Sequence, residues 1–426
     1  MGAAASRRHH TGLPRAYDAV VNDTPTQSSA RSNEAAPSYG ATQLRALLLV
    51  AVLAFLMLGA LQSLYGPSFA ALQARYGVSV AQVGGVVSAH FAGGFLGVLA
   101  AGLVLARLGY RRSLMSAAAL IALGAAVVGL AATWPLALGA AFLAGLGFGQ
   151  AVVALNLVVA RVYGARAGGP LNALNGLYGL GAVVGPAAVA LATSRLGPTP
   201  LAGTLVFGGV ALAALSLALA STSLGWLPEP RRPRSGAAAA FPFGVLLFML
   251  LFFLYVATEI GTPAWIPTHL APRLGDANAA LVASGFWAAL TLGRFLVVPI
   301  AGRTRPRDLV LGGCLLALLG LSLAQLPALA LVGYVIAGLG LAPVYPTTIA
   351  WLQWRFGDRG EQVTPLVIAS GNLGPVFGAP AVGMVVAASS PEAVPSVLSA
   401  LAALLLLSVA VTWWTSRQAE RRAARC

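Results

Sequence analysis

The sequence predicts an all-α integral membrane protein, twelve transmembrane helices arranged as two parallel six-helix repeats. Three observations predict it. Of 426 residues, 58% are hydrophobic and 9% are charged, with a mean hydropathy of +0.83. A soluble domain carries about 25% charged residues, so these few charges cannot solvate a soluble chain of this length. Beyond Leu44, long apolar stretches recur, each able to cross about 30 Å of hydrocarbon as a helix. The basic residues then sort by loop in a strict alternation.

Residues 1–43 are polar, have no apolar periodicity and read as a disordered cytoplasmic N-terminal tail without a signal peptide. Met1-Gly2-Ala3-Ala4-Ala5-Ser6 fits the short myristoylation pattern, which arises easily by chance. The spans are expected at 44–66, 80–105, 113–133, 136–160, 171–193 and 201–221, forming an N-terminal bundle over 44–221. A cytoplasmic loop over 222–240 follows, rich in Pro and Arg. A second bundle over 241–414 holds spans at 242–265, 280–300, 309–326, 328–350, 363–388 and 394–414, before a cytoplasmic tail over 415–426.

Net charge is +15, from 26 basic residues, all arginine, and 11 acidic ones. A clustered charge of that size would suggest nucleic acid. With the N-terminus placed in the cytoplasm, however, 22 arginines fall in inside segments, Arg75, Arg195 and Arg273 fall outside, and Arg294 falls within a span. The positive-inside rule holds at every loop, which places both termini in the cytoplasm and argues against a nucleic-acid partner. Trp226, Trp351, Trp354, Trp413 and Trp414 lie at inner ends and Trp134 and Trp265 at or near outer ends, as an aromatic belt requires; Trp287 lies deeper.

The halves repeat at one offset. Ala144-Gly145-Leu146-Gly147 recurs as Ala337-Gly338-Leu339-Gly340, Gly181/Gly185 as Gly374/Gly378, and Gly109 and Arg112 as Gly302 and Arg305, each 193 residues later. Parallel repeats of this kind are a transporter architecture, with the binding site between the halves near the midplane. Gly93/Gly97, Gly145/Gly149, Gly181/Gly185 and Gly374/Gly378 share four-residue spacing, which suits close helix packing.

Three ionisable residues fall within the expected spans: His90, Glu259 and Arg294. Each costs roughly 3 kcal/mol near a helix centre on insertion scales, so the default reading is functional. Glu259 shares a face with Tyr255 and Thr262 and is the candidate proton or hydroxyl site, with His90 a candidate relay. Arg294 shares a face with Ser284, Trp287 and Thr291, which suits a sugar or an anion. Helical rise places Glu259 about 9 Å and Arg294 about 20 Å below the outer edge, so no direct ion pair is expected. Uncharged polar candidates are Gln62, Gln150, Asn156, Asn172, Asn175, Tyr178, Tyr345 and Asn372, with Trp265 at the outer end. Each has the alternative of holding helices together. Cys314 and Cys426 have no neighbours at metal spacing, and no metal or cofactor is expected. No H-E-x-x-H, G-x-S-x-G or P-loop appears, so an enzyme and an ATP-driven pump are not expected.

These residues resemble the major facilitator superfamily. Gly102-Leu103-Val104-Leu105-Ala106-Arg107-Leu108-Gly109-Tyr110-Arg111-Arg112 resembles its signature between helices 2 and 3, with Ala106 where the signature has Asp. By that resemblance Gly102, Arg107, Gly109, Arg111 and Arg112 form a gating loop. Gly181 to Pro186 resembles the Gly-Pro motif of helix 5. Tyr255 to Leu270 (YVATEIGTPAWIPTHL), Ser284 to Arg294 (SGFWAALTLGR), Leu171 to Pro186 and Gly338 to Thr347 are similar to the fucose-permease-like branch, which contains proton-coupled sugar symporters. The acidic residues that the fucose symporter carries in helices 1 and 4 are absent, and Gln62 and Gln150 stand in the matching regions. The resemblance implies that spans 1, 4, 7 and 10 line the cavity, which favours Gln62, Gln150, Glu259 and Tyr345. It implies alternating-access transport of a small polar solute, foremost a sugar, with protons as a possible co-substrate. A monomer in a plasma or inner membrane is expected, an organelle membrane being the alternative. Efflux of amphipathic compounds and a non-transporting receptor on the same fold remain open.

Overall fold

The computed structural model describes residues 39–227, 229, 243–301 and 303–423. Most of the expected N-terminal tail with its Met1-Gly2 pattern, most of the 222–240 loop, and Gly302 and Cys426 lie outside the described residues. Among the described residues every regular element is helical, and eleven continuous runs are long and apolar enough to cross a membrane. One of them, 80–130, is 51 residues long and is broken at Gly109, where φ 70° and ψ 173° leave the helix. A residue with a Cβ is strained there. The break makes two crossings of one run, which gives twelve.

Spans 1 to 6 are Ala41–Leu64, 85–108, 110–130, Trp134–Tyr163, Gly168–Leu196 and Pro200–Ala220. Spans 7 to 9 are Phe243–Leu274, Asp276–Ala301 and Pro306–Leu323. Span 10 has two pieces, Ala330–Leu341 and Val344–Phe356, and spans 11 and 12 are Asp358–Ala388 and Val394–Ala423. The two boundaries that differ most from expectation are the ends of spans 7 and 12. Span 7 runs on to Leu274, because its prolines at 263, 267 and 272 sit within it without ending it. Span 12 continues as helix to Ala423.

Two interruptions bend the chain inside the bundle. Span 1 opens into a turn over 65–68, where Gly66-Pro67 follows Tyr65, before the short helix Phe69–Tyr76. Span 10 breaks at Ala342–Pro343, since Pro343 offers no N–H and Pro346 follows within one turn. Non-helical backbone at such depth survives only when buried in protein or lining a cavity.

Glycines set the packing, and they set it identically in both halves. A Cβ on Gly145 of span 4 would strike the His90 carbonyl of span 2; one on Gly338 of span 10 would meet the Phe286 carbonyl of span 8. Gly147 lies against Ala117 of span 3, and Gly340 against Ala317 of span 9. Gly181 abuts the Leu56 carbonyl of span 1, and Gly374 the Phe253 carbonyl of span 7. The 193-residue offset in sequence is therefore a repeated set of backbone contacts. It is what two parallel copies of one six-helix unit must show.

Between the halves, span 5 meets span 8 and span 2 meets span 11. The Ser284 hydroxyl donates to the Val183 carbonyl at 2.9 Å across the first of these seams. One end of the bundle is sealed backbone to backbone. Gly66 abuts Ala264, Gly84 approaches the Ala379 carbonyl, and Gly383 approaches the Val80 carbonyl and the Trp265 ring.

Gly145→Ala is expected to lower the melting temperature in detergent by several degrees, since overpacking costs roughly 1–3 kcal/mol. Gly139→Ala, on the same helix but with nothing within 4 Å of the added Cβ, is expected not to lower it and to raise it slightly, since alanine favours the helix over glycine. Equal shifts in the two variants would contradict the backbone contact.

Candidate functional site

The middle of the bundle holds a charged pair that joins span 7 to span 8, two of the four spans on which the branch-like stretches lie. Arg294 Nη2 of span 8 donates to Glu259 Oε1 of span 7 at 3.2 Å. The Tyr255 hydroxyl, one turn below Glu259 on the same face, donates to the same oxygen at 2.5 Å. The other ion pair among the described residues, Arg307 with Asp308, sits at the first turn of span 9.

This contact corrects the expectation that Glu259 and Arg294 lie too far apart. That expectation ended span 7 at 265. With its end at Leu274, Glu259 lies about 22 Å below the helix end, and Arg294 lies about 27 Å below the start of span 8 at Asp276. The arginine side chain covers the remaining difference.

Tyrosines from three helices surround the pair. Tyr178 of span 5 faces Glu259, Arg294 and Tyr345, with Gln62 of span 1 beside it. Tyr345 follows the break in span 10, and its ring lies 6.3 Å from that of Tyr255 and 4.9 Å from Phe252. The break in span 10 thus delivers Tyr345 to the pair. Spans 1, 5, 7, 8 and 10 converge here.

Access to the pair is asymmetric. The Arg294 side chain is 28% exposed and that of Glu259 9%. Towards the sealed end, a cavity of about 10 Å³ lies between Gln62, Ser63, Tyr65 and Val87 of the first half and Ile260, Pro263 and Trp287 of the second. That is room for a single water. Beyond it sits Trp265, fully buried, its ring 5.1 Å from Phe69 in an edge-on contact. The structure places Trp265 in the seal and Trp287 in the cavity wall.

The remaining candidates fall into separate places. Thr291 of span 8 fits against Gly179 of span 5, and its Oγ1 has no hydrogen-bond partner. Asn156 and Asn175 donate to carbonyls four residues back in their own helices, Val152 and Leu171. Gln150 is buried with an unpartnered Oε1, close to Gly97 of span 2. The Asn372 amide oxygen lies near Gly94, at the seam of spans 11 and 2. His90 is hydrogen-bonded through Nδ1 to the Tyr65 hydroxyl at 3.2 Å and is ringed by Phe91 and Phe148. Arg107, Arg111 and Arg112 are exposed beside the Gly109 break, and Gly102 is half-buried. Sequence reasoning missed His269, bonded through Nδ1 to the Tyr334 hydroxyl at 2.8 Å. It was missed because span 7 was ended too early. No group of three metal-ligating side chains occurs among the described residues.

A helical bundle of two like halves, with a buried polar couple and one end sealed, has the architecture of a membrane transporter. The sequence pattern of the Major Facilitator Superfamily matches residues 51–361, and the chain belongs to that family. An uncharacterised MFS-type transporter of Yersinia pestis is 27% identical over 371 residues, 84% of this chain and 93% of that one. The crystal structure of a D-xylose–proton symporter is similar with a TM-score of 0.72 at 16% identity, covering 87% of this chain and 97% of that one. The MFS transporter FucP, in its outward conformation, is similar with a TM-score of 0.59 at 18% identity, over 87% and 99% of the two chains. At these identities the two structures share the fold.

Removing one partner of a buried pair leaves the other charge uncompensated, at a cost of roughly 3–5 kcal/mol. Arg294→Gln is therefore expected to lower the melting temperature more than the double variant Glu259→Gln/Arg294→Gln does. A double variant at least as unstable as the sum of the two single ones would show that the two side chains do not form a pair.

Proposed function

We propose that this multi-pass membrane protein is a secondary transporter of a small, polar solute of the sugar class, coupled to protons through Glu259. The observation that carries the proposal is the Glu259–Arg294 pair, hydrogen-bonded by the Tyr255 hydroxyl, with Tyr178, Tyr345 and Gln62 around it. Charge in the bilayer interior is expensive, and such residues mark substrate and proton paths. Hydroxyl, amide and aromatic groups arriving from separate helices suit a polyhydroxylated ligand.

The seal at one end, with the ion pair below it, supports a reading of alternating access. In this reading, opening the Gly66–Ala264 and Gly383–Val80 contacts exposes the cavity at Trp287 to the other side. Proton uptake on Glu259 removes its half of the ion pair, which loosens span 7 from span 8. Both helices belong to the second half. Span 7 also reaches the first half through Gly66, and span 8 through Gly179. A change at the pair is thus passed to both seams between the halves.

In proteoliposomes, Glu259→Gln is expected to abolish sugar accumulation driven by an inward proton gradient while leaving solute-for-solute counterflow intact. The measurement is uptake of a panel of radiolabelled sugars with and without the gradient. Accumulation of equal size in the wild type and the variant would overturn the coupling role, and absence of counterflow for any small polar solute would overturn the transport reading.

A further inference from the structure

The ion pair is only half made, and the unused half points to the charge of the solute. The side-on fork of a guanidinium consists of Nε–H and one Nη2–H, spaced to grip two carboxylate oxygens. In Arg294 the Nη2 prong reaches Glu259 Oε1, whereas Nε is buried and has no partner. Glu259 does not fill the second prong because Oε1 also receives the Tyr255 hydroxyl. A buried donor of a charged group left unpaired is costly, and its usual explanation is a ligand or a water that completes it.

Charge balance narrows the ligand. With Glu259 ionised, the pair is neutral overall. With Glu259 protonated, Arg294 keeps its charge in the bilayer interior with nothing opposite. The groups facing Glu259 are Tyr255 on its own helix, Arg294 of span 8, Tyr178 of span 5 and Tyr345 of span 10. Span 11 packs on span 7 through Gly374, and span 12 reaches Gly261 through Leu398, neither of them ionisable. A neutral sugar arriving with a proton would therefore leave a lone cation. An anion arriving with a proton would not. The proton goes from water to Glu259, and the anion takes the fork that Glu259 gives up. Protonated Glu259 keeps Tyr255 as its hydrogen-bond partner, so the exchange strands no group on that side.

Building on the transport reading above, we propose that Arg294 is a carboxylate seat, and that the solute is a hydroxylated organic acid which enters with one proton in place of Glu259. The donors beside the seat fit the rest of such a molecule. Trp287 Nε1 and Thr291 Oγ1 lie on the same face of span 8 as Arg294, and both are buried without partners. Together the three form a row about 10 Å long.

The test uses the purified full-length protein and formate, the smallest carboxylate, so that solute identity does not enter. Melting temperatures are compared in potassium formate and in potassium chloride at equal ionic strength. In Glu259→Gln, which imitates the protonated state, formate is expected to raise the melting temperature by about 2 °C at any pH. The wild type is expected to respond at acidic pH only, and Glu259→Gln/Arg294→Gln not at all. No formate response in Glu259→Gln and in acidic wild type, or an equal response in the double variant, overturns the seat. If Glu259→Gln does not fold, the wild type compared with Arg294→Gln at acidic pH decides the question by the same readout.

Counterflow of D-gluconate against D-glucose in proteoliposomes separates this proposal from the transport reading. Exchange of glucose but not gluconate overturns the carboxylate seat and leaves a sugar transporter. Formate binding in a protein that exchanges no solute overturns transport and leaves the seat.

Discussion

A charge inside a bilayer has to be answered, and the Glu259–Arg294 pair is where this protein answers it. On insertion scales each member alone would cost roughly 3 kcal/mol at a helix centre. Together, with Tyr255 on the shared oxygen, they tie span 7 to span 8 in the middle of the bundle. The neighbouring features follow from the need to surround that couple. Span 10 breaks at Pro343 and delivers Tyr345, span 5 brings Tyr178 from the other half, and Gln62 of span 1 lies beside Tyr178. A buried pair of this kind is weak evidence for stability, because desolvation offsets much of the attraction. Its presence is better explained by what changes when one partner is neutralised.

The pair can control a large movement only if the halves are stiff and their seams are smooth. Glycine supplies both conditions. Within each half, Gly145, Gly147 and Gly181, and their counterparts Gly338, Gly340 and Gly374, bring backbones into direct contact, which stiffens each six-helix unit. Between the halves, Gly66, Gly84 and Gly383 bring backbones close at one end, and Trp265 packs against Phe69 in the space they leave. A seam of backbone against backbone holds by close packing and separates without unthreading long side chains.

Much of this was legible in the sequence. The span number, the repeat and the break at Gly109 follow from hydropathy, from arginine placement and from glycines at one offset, all of which are local or periodic signals. Glu259 and Arg294 stood out because ionisable groups are rare in apolar runs. Their contact was not legible. It depends on where span 7 ends relative to span 8, and the prolines at 263, 267 and 272 hid that end. The same misplaced end concealed His269. The direction a polar side chain takes was equally invisible: Asn156 and Asn175 turn back on their own helices, whereas Tyr178 reaches across to Gln62. Rotamer choice and inter-helix register are set by the assembled bundle and leave no mark on a single chain.

The central claim is that Glu259 is an ionised partner of Arg294 which takes up and releases a proton during work. Infrared difference spectra of the wild type between neutral and acidic pH test it directly, with Glu259→Gln as the reference. The account predicts a carboxylic-acid C=O band that grows as pH falls and is missing from the variant, with a matching loss of carboxylate signal. A wild type and variant with the same difference spectrum would contradict it.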